Sequence, residues 1–286
     1  MYQRKLPIYD GLYDATEPID TTAPPIQLFH PVFGHFLDDL SNNLCVPPEI
    51  LNATVGYMQA SSAIYDNEAI RRAVLERHLS RILGNGMGTV VNSDGTWPDG
   101  AFSITLPNET CGSAVILMKE DKNNFGGTDP SIQVGLSMAR FWAQDQVDRC
   151  DFYLLSALTS LFYQYSGVRN NTCCPTFLLA TAGASFAILG GIFTDKWIVQ
   201  RLTDFIWVGL DATLKDSHYN QVAHILYSLR RNVEKLYDYY VGLKIIASET
   251  EDLHPRFFPS ICTYRDGDDS IINFKYIKPL DRKSVV

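Results

Sequence analysis

Three charged side chains have the types and spacing that phosphodiester chemistry requires. Asp99 stands in a Pro-Asp pair, and Glu120 and Lys122 stand in the triplet Glu120-Asp121-Lys122. Mg²⁺ prefers oxygen ligands and is commonly held by one or two carboxylates together with substrate phosphate oxygens. Asp99 and Glu120 could supply those carboxylates, and Lys122 could orient an attacking water or neutralise charge that develops on the phosphate. A Glu-x-Lys triplet alone is common by chance, so the upstream Pro-Asp pair makes the combination informative.

Two predicted strands position these residues. Segment 102–106 alternates apolar and polar residues, segment 114–118 is a continuous apolar run, and turn-forming Pro, Asn and Gly residues separate them. This pattern predicts two adjacent antiparallel strands. Because successive side chains of a strand point to opposite faces, Glu120 and Lys122 should share a face while Asp121 points away.

The aspartate before the first strand has a competitor. Asp94 lies in an Asn-Ser-Asp-Gly turn signature, and forming that turn is its simpler role. Strict alternation would place Asp99 on the face of Ser103, although Gly100 could shift the alternation. The sequence therefore favours Asp99 as the ligand without fixing the direction of its side chain.

These residues resemble the signature of PD-(D/E)XK nucleases. The signature consists of the Pro-Asp pair at 98–99, the twenty residues 100–119, and the triplet at 120–122. The continuation through residues 126–133 resembles more particularly the nuclease-like domains of Crinkler-type fungal proteins, which often precede a protein-kinase-like domain. The similarity extends over about residues 46–240.

The resemblance implies a fold and a set of roles. The fold would be α/β, with a restriction-endonuclease-like core in which helices flank a mixed central sheet, and with additional helices. Asp99, Glu120 and the backbone carbonyl of Asp121 would hold Mg²⁺ or Mn²⁺, and Lys122 would assist the attacking water.

Two further side chains match supporting positions of that family. Helical spacing puts Glu68 on the apolar face that carries Leu75 and Leu79, and the resemblance makes it the first-helix acid that many such nucleases bring to the metal. Pairing with a lysine or capping the helix is the simpler role for such a carboxylate. Gln133 follows the helix start Asp129-Pro130 and matches a polar helix position of the family; a solvent-exposed or strand-capping role is an equal alternative.

The other faces of the helix that carries Glu68 are basic. They carry Arg71, Arg72, Arg77, His78 and Arg81. Such a set is usually a solvated surface, but it is the best local candidate for contact with nucleic-acid phosphates. The net charge of −8 and the pI near 5.2 count against nucleic-acid binding, which depends on basic patches, although a basic stripe can lie on an acidic chain.

Periodicity and capping signals predict the other elements. Predicted helices cover 49–65, about 67–83, a segment that begins at 129–130, 151–165 and 218–246. Residues 177–193 carry no charge and are at the short limit for a membrane span. Because glycines interrupt this run, it predicts two buried strands, 176–182 and 185–193, rather than a membrane helix.

Three regions follow from these patterns. Residues 1–45 contain many prolines and predict an irregular N-terminal extension; 46–247 form the nuclease-like domain; 248–286 form a linker with a lone strand at about 270–279. The last region would be the start of a truncated kinase-like domain, and we expect no kinase activity. The polar first ten residues and the cysteine spacing predict no secretory signal and an intracellular, cytoplasmic or nuclear protein.

Two functions remain open at this stage. The first is a metal-dependent nuclease acting on DNA or RNA, and because many such nucleases dimerise, a homodimer is allowed. The second is a catalytically inactive module of the same fold that binds a partner or nucleic acid; the acidic charge and the short loop after Lys122 favour it. A membrane partner is not expected.

Overall fold

A mixed β-sheet with helices on both faces organises the chain in the computed structural model. The structure describes residues 8–11, 22–92, 95–106, 113–123, 128–143, 166–194, 196–210, 213, 215–244, 263–265 and 270–273. The helices are α1 (Pro31–Ser41), α2 (Pro48–Ser61), α3 (Glu68–Leu83), α4 (Pro130–Ala143), α5 (Ser166–Asn171) and α6 (Lys215–Val241). The strands are β1 (Ile8–Tyr9), β2 (Gly100–Thr105), β3 (Ser113–Lys122), β4 (Thr176–Ala182), β5 (Ser185–Phe193), β6 (Trp197–Arg201), β7 (Ile206–Trp207), β8 (Thr263–Arg265) and β9 (Ile271–Asn273).

The main sheet has the order β1-β6-β5-β4-β3-β2, and β7 also pairs with β5. β3 and β4 are parallel, as are β1 and β6, whereas the other neighbours are antiparallel. α4 packs across β3 and β4 on one face, while α1, α2, α3 and α6 pack with one another on the other side of the sheet. The predicted α/β class, with a mixed central sheet flanked by helices, is therefore confirmed.

The centre of the sheet is the β4–β5 hairpin, whose bounds agree with the sequence prediction. Its turn contains Gly183 with φ +54°, a conformation that favours glycine. Side chains added at Gly190 and Gly191 would overlap Phe33 of α1 and Met138 of α4, respectively, so helices press closely on both faces. No helix among the described residues is long and apolar enough to cross a bilayer.

The N-terminal region differs from the prediction of an irregular extension over 1–45. Residues 31–41 form α1, which His30 caps by accepting a hydrogen bond at Nδ1 from the Val32 amide. Phe33 and Phe36 of this helix are fully buried and pack edge-on against Phe177 of β4. The prolines behind the prediction lie before residue 31, and Pro31 itself occupies the first helical turn, where proline is tolerated. This segment packs into the same core as the other described elements of the main sheet and its helices.

Other predicted elements agree with the structure to within a few residues at their ends. α3 begins after its Asn67 cap and ends at Gly84, as predicted, and Gly84 has the left-handed conformation common at helix ends. The strand predicted to stand alone at 270–279 is instead paired: β9 runs antiparallel to β8. The helix predicted at 151–165 lies outside the described residues.

Candidate active site

The register between β2 and β3 brings the two predicted acids to one place. Gly100 pairs with Lys119, so one residue further on Asp99 faces Glu120. A β-bulge between Phe102 and Ser103 shifts the alternation of β2, and for this reason Asp99 turns to the face of Glu120 rather than to that of Ser103. The sequence suggested a shift at Gly100, whereas the structure puts it at the bulge.

Asp99 is fixed by two donors. Its Oδ2 accepts a hydrogen bond of 2.9 Å from the Asp121 amide, and its Oδ1 lies 2.8 Å from Nη1 of Arg72. The Asp99 side chain is 14% exposed and that of Arg72 30%. The carboxylate is thus held at the end of β3 with limited access to solvent.

Glu120 is buried beside Asp99. Its Oε1 accepts a hydrogen bond of 2.8 Å from the Ser137 hydroxyl on α4. Burial and, next in importance, the negative charge of Asp99 raise the pKa of Glu120 to about 8, although the Ser137 hydrogen bond and the positive charge of Lys122 oppose the rise. Asp99, Glu120 and Lys122 are therefore close enough to influence one another electrostatically.

The opposite face of β3 carries a second polar group, built around Asp121. Its Oδ2 lies 2.7 Å from Nζ of Lys119, and the Thr181 hydroxyl of β4 donates to its Oδ1. Both charged side chains are 1% exposed. As alternation predicts, the Asp121 carboxylate points away from Glu120, so Asp121 contributes only backbone groups to the candidate site.

Two successive arginines attach α3 to this end of the sheet. Arg71 donates from Nη1 to the Lys122 carbonyl at 3.3 Å and from Nη2 to the Gly183 carbonyl. Arg71 is buried, which corrects the prediction that it belongs to a solvated basic face; the turns that end β3 and β4 offer carbonyls that a planar guanidinium can bridge. Arg72 contacts Asp99 instead.

The predicted supporting residues have different outcomes. Glu68 is the first residue of α3 and half-buried, and no group of three or more histidine, cysteine or acidic residues that could hold a metal forms within the described ranges. Glu68 therefore does not join Asp99 and Glu120 as a third acid. Gln133 lies one helical turn before Ser137 on α4, and its buried Oε1 has no hydrogen-bond partner among the described residues. Asp94 lies outside the described residues.

Two adjacent carboxylates are an oxygen-rich set of the kind Mg²⁺ accepts. Burial raises the pKa of Glu120 most, and the negative charge of Asp99 adds to the rise, so a divalent cation held by the two acids would offset both effects. Arg72 and the Asp121 amide already use one position on each Asp99 oxygen, which limits but does not remove its capacity as a ligand. The residues present thus fit a cation held by two carboxylates.

Sequence reasoning missed the roles of Ser137 and Arg72. Ser137 lies four residues after Gln133, so helical spacing from Gln133, which the family resemblance suggested, leads to the position that reaches Glu120. Arg72 lies four residues after Glu68, on the same face of α3. It is Arg72, rather than Glu68, that reaches the candidate site from this helix, where it forms an ion pair with Asp99. The buried ion pair of Lys119 was not predicted, because a lysine that follows an apolar run normally marks the exposed end of a strand.

The comparisons with known proteins give no family assignment. The chain matches no protein-family model, and it has no significant match among curated proteins or solved structures.

Proposed function

We propose that this chain is a metal-dependent nuclease-like hydrolase that cleaves phosphodiester bonds of DNA or RNA. The supporting observation is the convergence of Asp99 and Glu120, beside Lys122, at the end of β3. The mixed sheet and the order of helix, antiparallel strand pair and helix around these residues support a restriction-endonuclease-like core.

Asp99 and Glu120 would hold Mg²⁺ or Mn²⁺, with the Asp121 carbonyl as an additional oxygen donor. A cation held there supplies Lewis-acid chemistry toward a phosphodiester. Lys122 projects from the same strand face as Glu120 and would neutralise charge that develops on the phosphate or orient the attacking water. Ser137 fixes the Glu120 carboxylate through its 2.8 Å hydrogen bond, which preserves the direction of the ligand.

The electrostatics of the two acids also support this proposal. A buried glutamate with a raised pKa next to a second carboxylate is typical of functional sites, because a structural core has no need for two adjacent acids. The free-energy cost of ionising Glu120 beside Asp99 is recovered when a cation binds. Cation affinity should therefore depend on both acids.

The test incubates the full chain with supercoiled plasmid or a structured RNA in the presence of Mg²⁺ or Mn²⁺, and compares cleavage with that in the presence of EDTA. We expect cleavage that EDTA abolishes and that Lys122→Ala reduces by at least about a hundredfold, in the range of lost electrostatic stabilisation at active sites. Lys244→Ala, which removes an exposed lysine after α6, is the matched control and should cleave like the parent chain. Cleavage that is unchanged in Lys122→Ala would contradict the proposed site.

A second candidate function is a non-catalytic module that binds a partner or nucleic acid. The Arg72–Asp99 ion pair favours it, since a cationic side chain occupies the place where a metal would neutralise the acid. The net charge of −8 also favours it. Calorimetric titration with Mg²⁺ separates the two functions: an inactive module shows no binding that depends on Asp99, while the nuclease loses its binding in Asp99→Asn.

A further inference from the structure

The basic residues of α3 have separate environments. Arg71 is buried against backbone carbonyls, while His78 and Arg81 line a cavity between α2, α3 and α6. Arg77 is exposed. Of this basic set, Arg72 has its charged group at the candidate active site, where Nη1 contacts Asp99.

Arg72 also carries an unused donor. Its Nε–H is buried and has no hydrogen-bond acceptor among the residues that the structure describes. A buried donor without an acceptor is energetically costly, so such a group indicates a partner that is still to be bound. The planar guanidinium presents its donors in a fork that matches two oxygens of a phosphate.

The position of Arg72 creates a competition for Asp99. Nη1 is 2.8 Å from Oδ1 of Asp99, and Oδ2 accepts from the Asp121 amide. A divalent cation that uses Asp99 as a ligand weakens the attraction between Asp99 and Arg72, because it neutralises the acid. The guanidinium is then available to another anion at the same place.

We propose that Arg72 is the phosphate-binding residue of this site, and that it exchanges Asp99 for a backbone phosphate of the nucleic acid when Asp99 holds a cation. This proposal rests on the nuclease function proposed above. A cation on Asp99 releases Arg72 for a phosphate, and a phosphate on Arg72 releases Asp99 for a cation. Cation binding and nucleic-acid binding therefore strengthen each other, and such coupling is reciprocal.

The experiment measures two affinities in three variants of the full chain. Mn²⁺ affinity is measured by calorimetry without nucleic acid, and affinity for labelled DNA and RNA duplexes is measured by fluorescence anisotropy with Mn²⁺. The anisotropy measurements use a Lys122→Ala background so that the ligand is not consumed. The variants are Arg72→Gln, Arg72→Lys and the matched control Arg77→Gln, which removes an equal charge from an exposed position of the same helix.

Arg72→Gln should bind Mn²⁺ about fivefold more tightly, because the competing cation is gone, and bind nucleic acid at least about tenfold more weakly. Arg72→Lys should keep the parent Mn²⁺ affinity while losing most of the nucleic-acid affinity, since an ammonium cannot replace the fork. Arg77→Gln should change both affinities by less than about threefold.

The outcomes separate the alternatives. If Arg72 only supports Asp99 structurally, Arg72→Gln weakens Mn²⁺ binding as well, and the proposal is overturned. If Arg72→Gln and Arg77→Gln weaken nucleic-acid binding equally, the contact is unspecific charge attraction and the proposal is also overturned, while the nuclease function stands. If the parent chain binds no Mn²⁺, both the nuclease function and this proposal are overturned.

Discussion

Lys119 and Asp121 form an ion pair across one face of β3, with 2.7 Å between Nζ and Oδ2 and with both side chains 1% exposed. Neither atom has a well-aligned hydrogen-bond partner among the described residues, so the contact is mainly ionic. The pair lies directly behind Glu120, and the backbone amide of Asp121 also holds Asp99. The stability of this buried pair and the geometry of the candidate site therefore depend on the same strand residues.

Breaking the pair should destabilise the fold strongly. Lys119→Met leaves the Asp121 charge buried without its partner, and we expect the free energy of unfolding to fall by about 3–5 kcal/mol. The double variant Lys119→Met/Asp121→Asn removes both charges and keeps an acceptor for Thr181, so it should recover much of the loss. Urea unfolding of the parent chain, Lys119→Met, Asp121→Asn and the double variant measures both effects.

The control for this cycle is the exposed pair between Arg230 and Glu234. Glu234→Gln removes a surface ion pair between neighbouring helical turns and should cost no more than about 0.5 kcal/mol. A double variant that is as unstable as the sum of its two single variants would show that Lys119 and Asp121 do not act as a pair.

Arg71 should contribute to the free energy of unfolding, although the sequence predicts that it lies on a solvated basic face of α3. Arg71→Met removes a guanidinium that bridges the carbonyls of Lys122 and Gly183, and we expect a loss of about 2–3 kcal/mol. Arg71→Lys can serve one carbonyl at a time and should cost about half as much. The comparison is with Arg77→Met on the exposed face of the same helix, which should stay within about 0.5 kcal/mol of the parent chain in urea unfolding. Equal effects of the two methionine variants would contradict the bridging role.

The sequence predicts the central hairpin accurately, whereas it does not predict that Arg71 is buried. β4 and β5 could be predicted to the residue, because an uncharged run interrupted by Gly183 has few other stable arrangements. The meeting of Asp99 and Glu120 could be anticipated from their strands, but the direction of Asp99 depends on a bulge that alternation does not reveal.

Contacts between elements that are distant in the chain could not be predicted from the sequence. Arg72 reaches Asp99 from α3, and Ser137 reaches Glu120 from α4, so each contact depends on how a helix packs against the sheet. Helical spacing gives the face of such a residue but not its partner. The sequence therefore predicted the acids of the candidate site and missed the side chains that hold them.

Glu120 should make stability depend on pH in a direction opposite to that of a paired acid. Its pKa is raised to about 8 by burial and by Asp99, so between pH 4.5 and 8 the folded chain retains a proton that the unfolded chain releases. Stability should fall as pH rises through this window and then level off. In EDTA, Glu120→Gln should therefore gain more stability relative to the parent chain at pH 8 than at pH 5, by more than about 1 kcal/mol.

Thermal unfolding at the two pH values measures this difference. Glu49→Gln, at an exposed position of α2, serves as the control and should show little change with pH. An identical stability difference between Glu120→Gln and the parent chain at pH 5 and pH 8 would show that Glu120 is ionised in the folded protein throughout.

His30 should produce the opposite dependence at lower pH. Burial and, to a smaller extent, the nearby His35 lower the pKa of His30 to about 4, and its Nδ1 accepts the capping hydrogen bond from the Val32 amide. As pH falls from 6.5 to 4, the unfolded chain takes up a proton that the folded chain resists, so stability should decline over this window by up to about 3 kcal/mol.

His30→Asn keeps a capping acceptor without a titrating ring, and its unfolding free energy should change less between pH 7 and pH 4. His35→Asn, at an exposed position of the same helix, should keep most of the parent dependence. If urea unfolding gives the same pH dependence for His30→Asn and the parent chain, His30 is accessible to protons in the folded state and α1 is less tightly docked than its buried phenylalanines indicate.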